Sequence, residues 1–111
     1  MSRKEKILAM LQEDPTDTFL RYSLAMELRT EGDHSSSLEK LDELARETPP
    51  YVPAFFMAAQ QLVDLGRVDE ARTRLRNGID QARAQGDGHA AAEMSELLAT
   101  LGELGEEDDE L

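Results

Sequence analysis

Apolar residues recur at helical spacing along most of the chain. Leu20, Leu24 and Leu28 stand four apart in one segment, and Leu38 and Leu41 stand three apart in the next. Spacings of three and four place side chains on one face of an α-helix. No stretch alternates apolar and polar residues as a half-buried strand does. The pattern therefore predicts an all-α protein of about six helices.

Glycines, prolines and capping residues divide this pattern into separate helices. Asp14-Pro15 ends the first helix, and Gly32 ends the second. Ser36, with Glu39 three residues later, resembles a capping box that opens the third helix. The predicted helices run over Arg3 to Glu13, Asp17 to Glu31, Ser36 to Thr48, Pro53 to Gly66, Asp69 to about Gln85 and about His89 to Leu101.

The helical pattern repeats itself at a fixed interval along the chain. Gly32 recurs as Gly66 and Pro15 recurs as Pro49, which gives a 34-residue period. The same interval relates Leu28 to Leu62, Ala25 to Ala59, and Ile7 to Leu41 and Leu75. A fixed period of this length is typical of stacked supersecondary units. Short connections make consecutive helices antiparallel, so we expect hairpins stacked into a right-handed superhelical array, an α-solenoid.

The repeat predicts a single domain over 1–104. It would contain an N-terminal helix at 4–15, repeat 1 at 18–51, repeat 2 at 52–85 and a capping helix at 88–102. The tail at 105–111 is a block of like charge, and we expect it to be disordered.

The 34-residue unit resembles the tetratricopeptide repeat (TPR) family. That family places a Leu beside a small residue in the first helix, as in Leu24-Ala25, and a small residue four before a bulky one in the second, as in Ala71 and Leu75. Two positions depart from its pattern. Arg21 stands where an aromatic residue is usual, and Gly78 stands where alanine is usual.

The resemblance implies a non-catalytic module or scaffold for protein–protein interaction. In such proteins the first helices line a concave groove that holds a peptide or a partner helix. The faces of the first helices turned away from their own second helices carry the predicted groove residues, which are Phe19, Tyr22, Met26, Arg29, Phe56, Met57 and Gln60. The alternative is that these aromatic and Met side chains only pack between neighbouring first helices.

One subset of the family grips a C-terminal carboxylate with Lys and Asn side chains. At the matching positions this chain has Tyr22, Met26, Phe56 and Gln60. The sequence therefore predicts no carboxylate clamp.

Charge and composition narrow the range of partners. The net charge is −12, from 24 acidic and 12 basic residues. This charge disfavours nucleic acid and anionic membranes and favours a neutral or basic protein partner. The arginines between Arg67 and Arg83 alternate with acids, which is typical of a solvated helix face. With no cysteine, no long apolar run and no apolar leader, the sequence predicts a cytoplasmic protein.

The residues suited to catalysis do not form a convincing site. His34 precedes three serines at a helix start, where capping is their expected role. His89 and Glu93 offer two metal ligands without a third. We expect no enzyme activity, metal or cofactor.

A second hypothesis is self-assembly. Leu8 and Met10 widen the apolar stripe of the first helix, and Leu98 and Leu104 widen that of the last, so terminal helices could form a homodimer.

Overall fold

A computed structural model describes the backbone of residues 1–109 and the side chains of residues 1–102. Its helices are α1 (Arg3–Glu13), α2 (Thr18–Thr30), α3 (His34–Ala45), α4 (Val52–Asp64), α5 (Val68–Ala84) and α6 (Gly88–Asp109). Residues 1–109 contain no strand. The predicted all-α class with about six helices is confirmed.

The turns after α2 and α4 share one backbone geometry. Gly32 and Gly66 have φ of +87° and +77°, a left-handed conformation that glycine adopts without a side-chain clash. The next residue, Asp33 or Arg67, donates its N–H to the carbonyl of the leucine five residues earlier, at 2.9 and 2.8 Å. This hydrogen bond closes a Schellman motif. The backbone conformation of these turns therefore repeats at the same 34-residue interval as the residue types.

Helix α3 begins before the predicted capping box. Asp33 is its N-cap, and the Asp33 Oδ1 accepts the N–H of Ser36 at 3.2 Å. The prediction that Ser36 and Glu39 open this helix is therefore wrong. Aspartate is as good an N-cap as serine, and the tight turn at Gly32 brings Asp33 into the capping position first.

Helix α3 also ends earlier than predicted, at Ala45 instead of Thr48. The N–H of Arg46 bonds to the carbonyls of Asp42 and Glu43 at 3.1 and 3.2 Å, which closes the last turn. Pro49 disfavours a helical conformation for the residue before it, which agrees with a helix that stops short of Thr48.

Helix α6 extends to Asp109, whereas the sequence predicts a capping helix at 88–102 and a tail at 105–111. Gly102 lacks the positive φ with which Gly32 and Gly66 end their helices. The Glu and Leu residues that follow it favour continued helix. Residues 110 and 111, and all side chains from 103 onward, lie outside the described part of the chain.

The chain divides into two compact units, unit 1 (residues 1–54) and unit 2 (residues 55–111). Unit 1 holds α1, α2, α3 and the first residues of α4. Unit 2 holds the rest of α4 with α5 and α6. The single domain over 1–104 and the handedness of the array stay predictions.

In unit 1, α2 packs against both α1 and α3. Ile7 of α1 lies against Leu24 and Leu28 of α2, with Leu11 beside them. The contact with α3 is polar at one point, where the buried Ser37 hydroxyl donates to the Ala25 carbonyl at 2.7 Å. Small residues at both positions allow the two helix backbones to come this close.

In unit 2, α5 packs against α6, and Gly78 is a point of close approach. A Cβ atom added to Gly78 would lie 2.6 Å from the Phe55 Cβ of α4 and 2.6 Å from the Met94 Sδ of α6. Both neighbouring side chains are buried. The departure from the family pattern at position 78 is therefore explained, because the space of an alanine methyl group is already filled.

Candidate interaction surface

Helix α2 carries one predicted partner-binding face, and the residues that α2 buries show where that face lies. At the N-terminus the Asp17 Oδ1 accepts the N–H of Leu20 at 2.8 Å. Leu24, Ala25 and Leu28 are buried against the rest of unit 1. The predicted binding residues lie on a different side of α2, because they are separated by three, four and three residues. We call this side the α2 face, and it comprises Phe19, Tyr22, Met26 and Arg29.

Exposure differs among the residues of the α2 face. Phe19 is 69% exposed, the largest value for any described aromatic residue. Tyr22, Met26 and Arg29 are half-buried. Packing between helices therefore does not account for Phe19, which leaves most of a large apolar side chain in contact with solvent.

Tyr22 has a partner within unit 1 that the sequence did not predict. Its ring meets that of Tyr51 edge to face, with centroids 5.5 Å apart and planes at 70°. Burial raises the pKa of the Tyr22 hydroxyl, the nearby Tyr51 raises it further, and Arg29 opposes the shift. Tyr51 is placed by its own N–H, which donates to the Leu44 carbonyl at 3.0 Å. The only sequence signal was the Pro49-Pro50 break, which turns the chain back toward α2.

The corresponding face of α4 lies in unit 2 and is more enclosed. Phe56, Met57 and Gln60 are all half-buried, and we call them the α4 face. Their neighbours Phe55 and Ala59 are buried. Phe56 and Gln60 are four residues apart and share one side of the helix, and Met57 lies next to them.

The basic run of α5 is not uniformly a solvated face. Arg67 binds Glu70 through two hydrogen bonds of 2.5 and 2.8 Å at the surface, as the prediction requires. Arg72 differs, because its side chain is only 14% exposed. It contacts Asp69 and donates to the Leu101 carbonyl of α6 at 2.8 Å. The prediction of a solvated side chain is wrong for Arg72, which joins α5 to α6.

The predicted pair of metal ligands, His89 and Glu93, lies at the surface of α6. His89 Nε2 lies 2.5 Å from Glu93 Oε1 on the exposed side of α6. Within the described residues, no three His, Cys, Asp or Glu side chains are grouped closely enough to hold a metal ion. In the same part of the chain, no helix combines the length and the apolar character needed to cross a membrane.

Two proteins of known structure resemble this fold. A tetratricopeptide repeat domain protein from Salinibacter ruber is 29% identical, with a TM-score of 0.73 over 78% of this chain and 88% of that one. A protein from Bordetella parapertussis is 22% identical, with a TM-score of 0.78 over 93% of this chain and 90% of that one. No family model and no curated protein matches the sequence.

The Salinibacter structure confirms the TPR-like assignment made from the 34-residue period, and the Bordetella structure confirms the fold. The chain is a TPR-like, all-α helical-repeat protein. A fold of this class is typical of protein-interaction modules and is typically non-catalytic.

Proposed function

We propose that the chain is a non-catalytic protein-interaction module that binds a peptide or a partner helix through the α2 face and the α4 face. The observation that carries the proposal is Phe19, an aromatic residue 69% exposed on the same face as Tyr22 and Met26. Tyr and Arg are enriched among the residues that dominate binding energy in known interfaces, and Met is common at adaptable binding surfaces. The TPR-like fold supports the same function.

The partner is a protein segment that is neutral or basic. With a net charge of −12, the chain attracts basic molecules over long distances and repels acidic ones, including nucleic acid and anionic membranes. The α2 face and the α4 face together carry one charged residue, Arg29, so their direct contacts are mainly apolar. We expect charge to affect the association rate and the side chains to affect dissociation. The proposed setting is the cytoplasm.

A capture experiment with matched variants tests this function. Phe19→Ala removes an exposed ring, so it should leave the fold unchanged by circular dichroism while reducing partner capture from native lysate. Leu65→Ala removes an apolar side chain that is 37% exposed outside the proposed faces, and it should capture normally. Phe56→Ala tests the α4 face in the same way. Equal capture by wild type and Phe19→Ala would contradict the proposal.

A second candidate function is homodimerisation through the terminal helices, of which α1 carries exposed apolar residues. Leu8 and Met10 are 41% and 48% exposed on that helix. Leu98 of α6 is half-buried, and the side chain of Leu104 lies outside the described part of the chain. Sedimentation equilibrium separates this candidate from the first. A dimer lost in Leu8→Ala but kept in Phe19→Ala would support it, and a monomer at every concentration would exclude it.

A further inference from the structure

The chain contains one asparagine, Asn77, and it directly precedes Gly78. Both residues lie in the middle of α5, with Asn77 exposed and Gly78 buried. Asparagine followed by glycine is the dipeptide in which ring closure onto the following backbone nitrogen is least hindered, because glycine has no side chain. The other side-chain amides of the chain are glutamines, which cyclise through a larger and less favourable ring.

Packing explains why this labile dipeptide is present. Residue 77 faces solvent, but position 78 lies against Phe55 and Met94, where an added Cβ would be 2.6 Å from an atom of each. The Phe55 Cβ cannot rotate away, since it is attached directly to the α4 backbone. Glycine is therefore required at position 78, and any asparagine before it acquires this reactivity.

We propose that Asn77–Gly78 is a site of spontaneous deamidation whose rate is controlled by the opening of α5. The backbone nitrogen of Gly78 loses its proton to solvent base and attacks the side-chain carbonyl carbon of Asn77. A carbon–nitrogen bond forms, and the side-chain nitrogen leaves as ammonia. Water then opens the succinimide ring at either carbonyl, which leaves aspartate or isoaspartate. No oxidant or reductant is required.

Helix α5 protects the site while it is closed. Helical hydrogen bonding engages the backbone N–H that must react, and helical dihedral angles hold this nitrogen away from the side-chain carbonyl. Reaction therefore requires local or global opening, so the observed rate is the open-state rate multiplied by the open fraction. The isoaspartate product adds one carbon to the main chain at the point of contact with Phe55 and Met94. We expect this product to destabilise unit 2.

The test follows deamidation of the full chain at mildly alkaline pH by peptide mapping and isoaspartate-specific methylation. In urea the peptide that contains Asn77 should convert readily, and in native buffer it should convert at least about tenfold more slowly. Asn77→Gln should abolish conversion of the peptide that contains residue 77 under both conditions, while isoaspartate formed at Asp87-Gly88 is followed separately in its own peptide. No conversion in urea, or equal rates in urea and native buffer, would overturn the proposal.

A stability series tests the requirement for opening. Phe55→Leu, Met94→Ala and Phe55→Ala weaken the packing around Gly78 to increasing degrees without changing the reactive dipeptide. The deamidation rate in native buffer should rise as the free energy of unfolding falls. Because this rate is proportional to the open fraction, a tenfold larger open fraction should give a rate about tenfold higher. If Phe55→Ala is unfolded, it should react at the rate measured in urea, while the milder variants lie between. A deamidation rate that does not change with stability would overturn the proposal that the opening of α5 controls this rate.

Discussion

The first helix hairpin, α2 and α3, and the second, α4 and α5, fill two equivalent pairs of positions in opposite ways. Arg21 and Leu44 of the first stand one repeat period before Phe55 and Gly78 of the second. In the second hairpin the large Phe55 is buried, and Gly78 leaves room for it. In the first, Leu44 is buried completely, and Arg21 contacts Glu47 instead of filling the core.

The comparison shows that residue types differ between equivalent positions of the two hairpins, and that the small residue at position 78 goes with the large residue at position 55. A large residue on one helix requires a small one opposite, because protein interiors are packed to nearly crystalline density. A residue that departs from the family pattern thus depends on its packing partner. Arg21 and Gly78 are both departures, and each has its own neighbour that accounts for it.

The largest effect is expected when the second hairpin loses its small residue. Gly78→Ala should destabilise the protein by about 3 kcal/mol, because the new methyl group meets the Phe55 Cβ and displaces α4. This cost exceeds the gain of about 1 kcal/mol in helix propensity. Gly102→Ala is the control, since an added Cβ there meets nothing within 4 Å, and it should be neutral or stabilising. Urea unfolding of both variants measures the difference. A stabilised Gly78→Ala would refute the volume argument.

The next largest effect on stability is expected from the residues that precede α3 and α5. Asp33 caps α3, whereas Arg67, at the equivalent position of the second hairpin, makes no side-chain cap on α5. Asp33→Ala should therefore cost about 1.5 kcal/mol, from the lost hydrogen bond and the lost negative charge at a helix N-terminus. Arg67→Ala should cost clearly less than Asp33→Ala, because the hydrogen bonds between Arg67 and Glu70 lie at the exposed surface, where solvent screens them. Thermal unfolding compares the two, and equal losses would show that the cap has no special value.

A smaller effect concerns the buried hydroxyl of the first hairpin. Ser37 donates to the Ala25 carbonyl, while the equivalent position of the second hairpin is Ala71. Ser37→Ala makes the two hairpins alike here, and it should cost about 1 kcal/mol because one buried hydrogen bond is lost. Ser35→Ala, at an exposed position on the same helix, is the control. Chemical denaturation that gives the same stability for both variants would contradict this assignment.

A still smaller coupling is expected between Arg21 and Glu47. Their side chains are 21% and 42% exposed, so solvent screens much of the attraction. A double-mutant cycle with Arg21→Ala and Glu47→Ala should give about 0.5 kcal/mol at low salt and less at high salt. A coupling that does not change with salt would indicate that Arg21 acts through packing of its aliphatic stem.

The smallest effect is a shift in the pKa of one carboxyl group in the first turn of α5. The hydrogen bond from Arg67 holds the pKa of Glu70 below its ordinary value. Arg67→Ala should raise this pKa, as measured by NMR titration of the Glu70 carboxylate. Because the folded-state pKa is lowered, the linked stability is present above the unfolded-state pKa and is lost as the pH falls through the folded-state value. An unchanged titration would show that the ion pair does not persist in solution.

Local sequence signals were sufficient to predict the helices and many of the residues at which they begin and end. The bounds of α1 agree with the predicted helix from Arg3 to Glu13, and Gly32 and Gly66 end their helices as expected. These features depend on neighbours a few residues away, so the sequence carries them directly. The error at the start of α3 arose where several capping residues competed, and only the geometry of the turn selected Asp33.

The sequence predicted which residues share a side of each helix, but it did not predict which of them are exposed and which have packing partners. Helical spacing alone placed Phe19, Tyr22 and Met26 on one side of α2. It did not show that Tyr22 packs against Tyr51 while Phe19 stays exposed. Tyr22 differs from Phe19 because the loop residue Tyr51 packs against it. This contact joins positions far apart in the chain.

The sequence by itself determined the fold class, because the helical spacing of apolar residues and the longer repeat that relates Gly32 to Gly66 are properties of the linear order. Only the tertiary structure decided why Gly78 must be glycine, that Arg72 reaches the Leu101 carbonyl, and which aromatic residues find partners. These outcomes depend on the distance between atoms of different helices. Packing sets that distance, and no pattern along one helix records it.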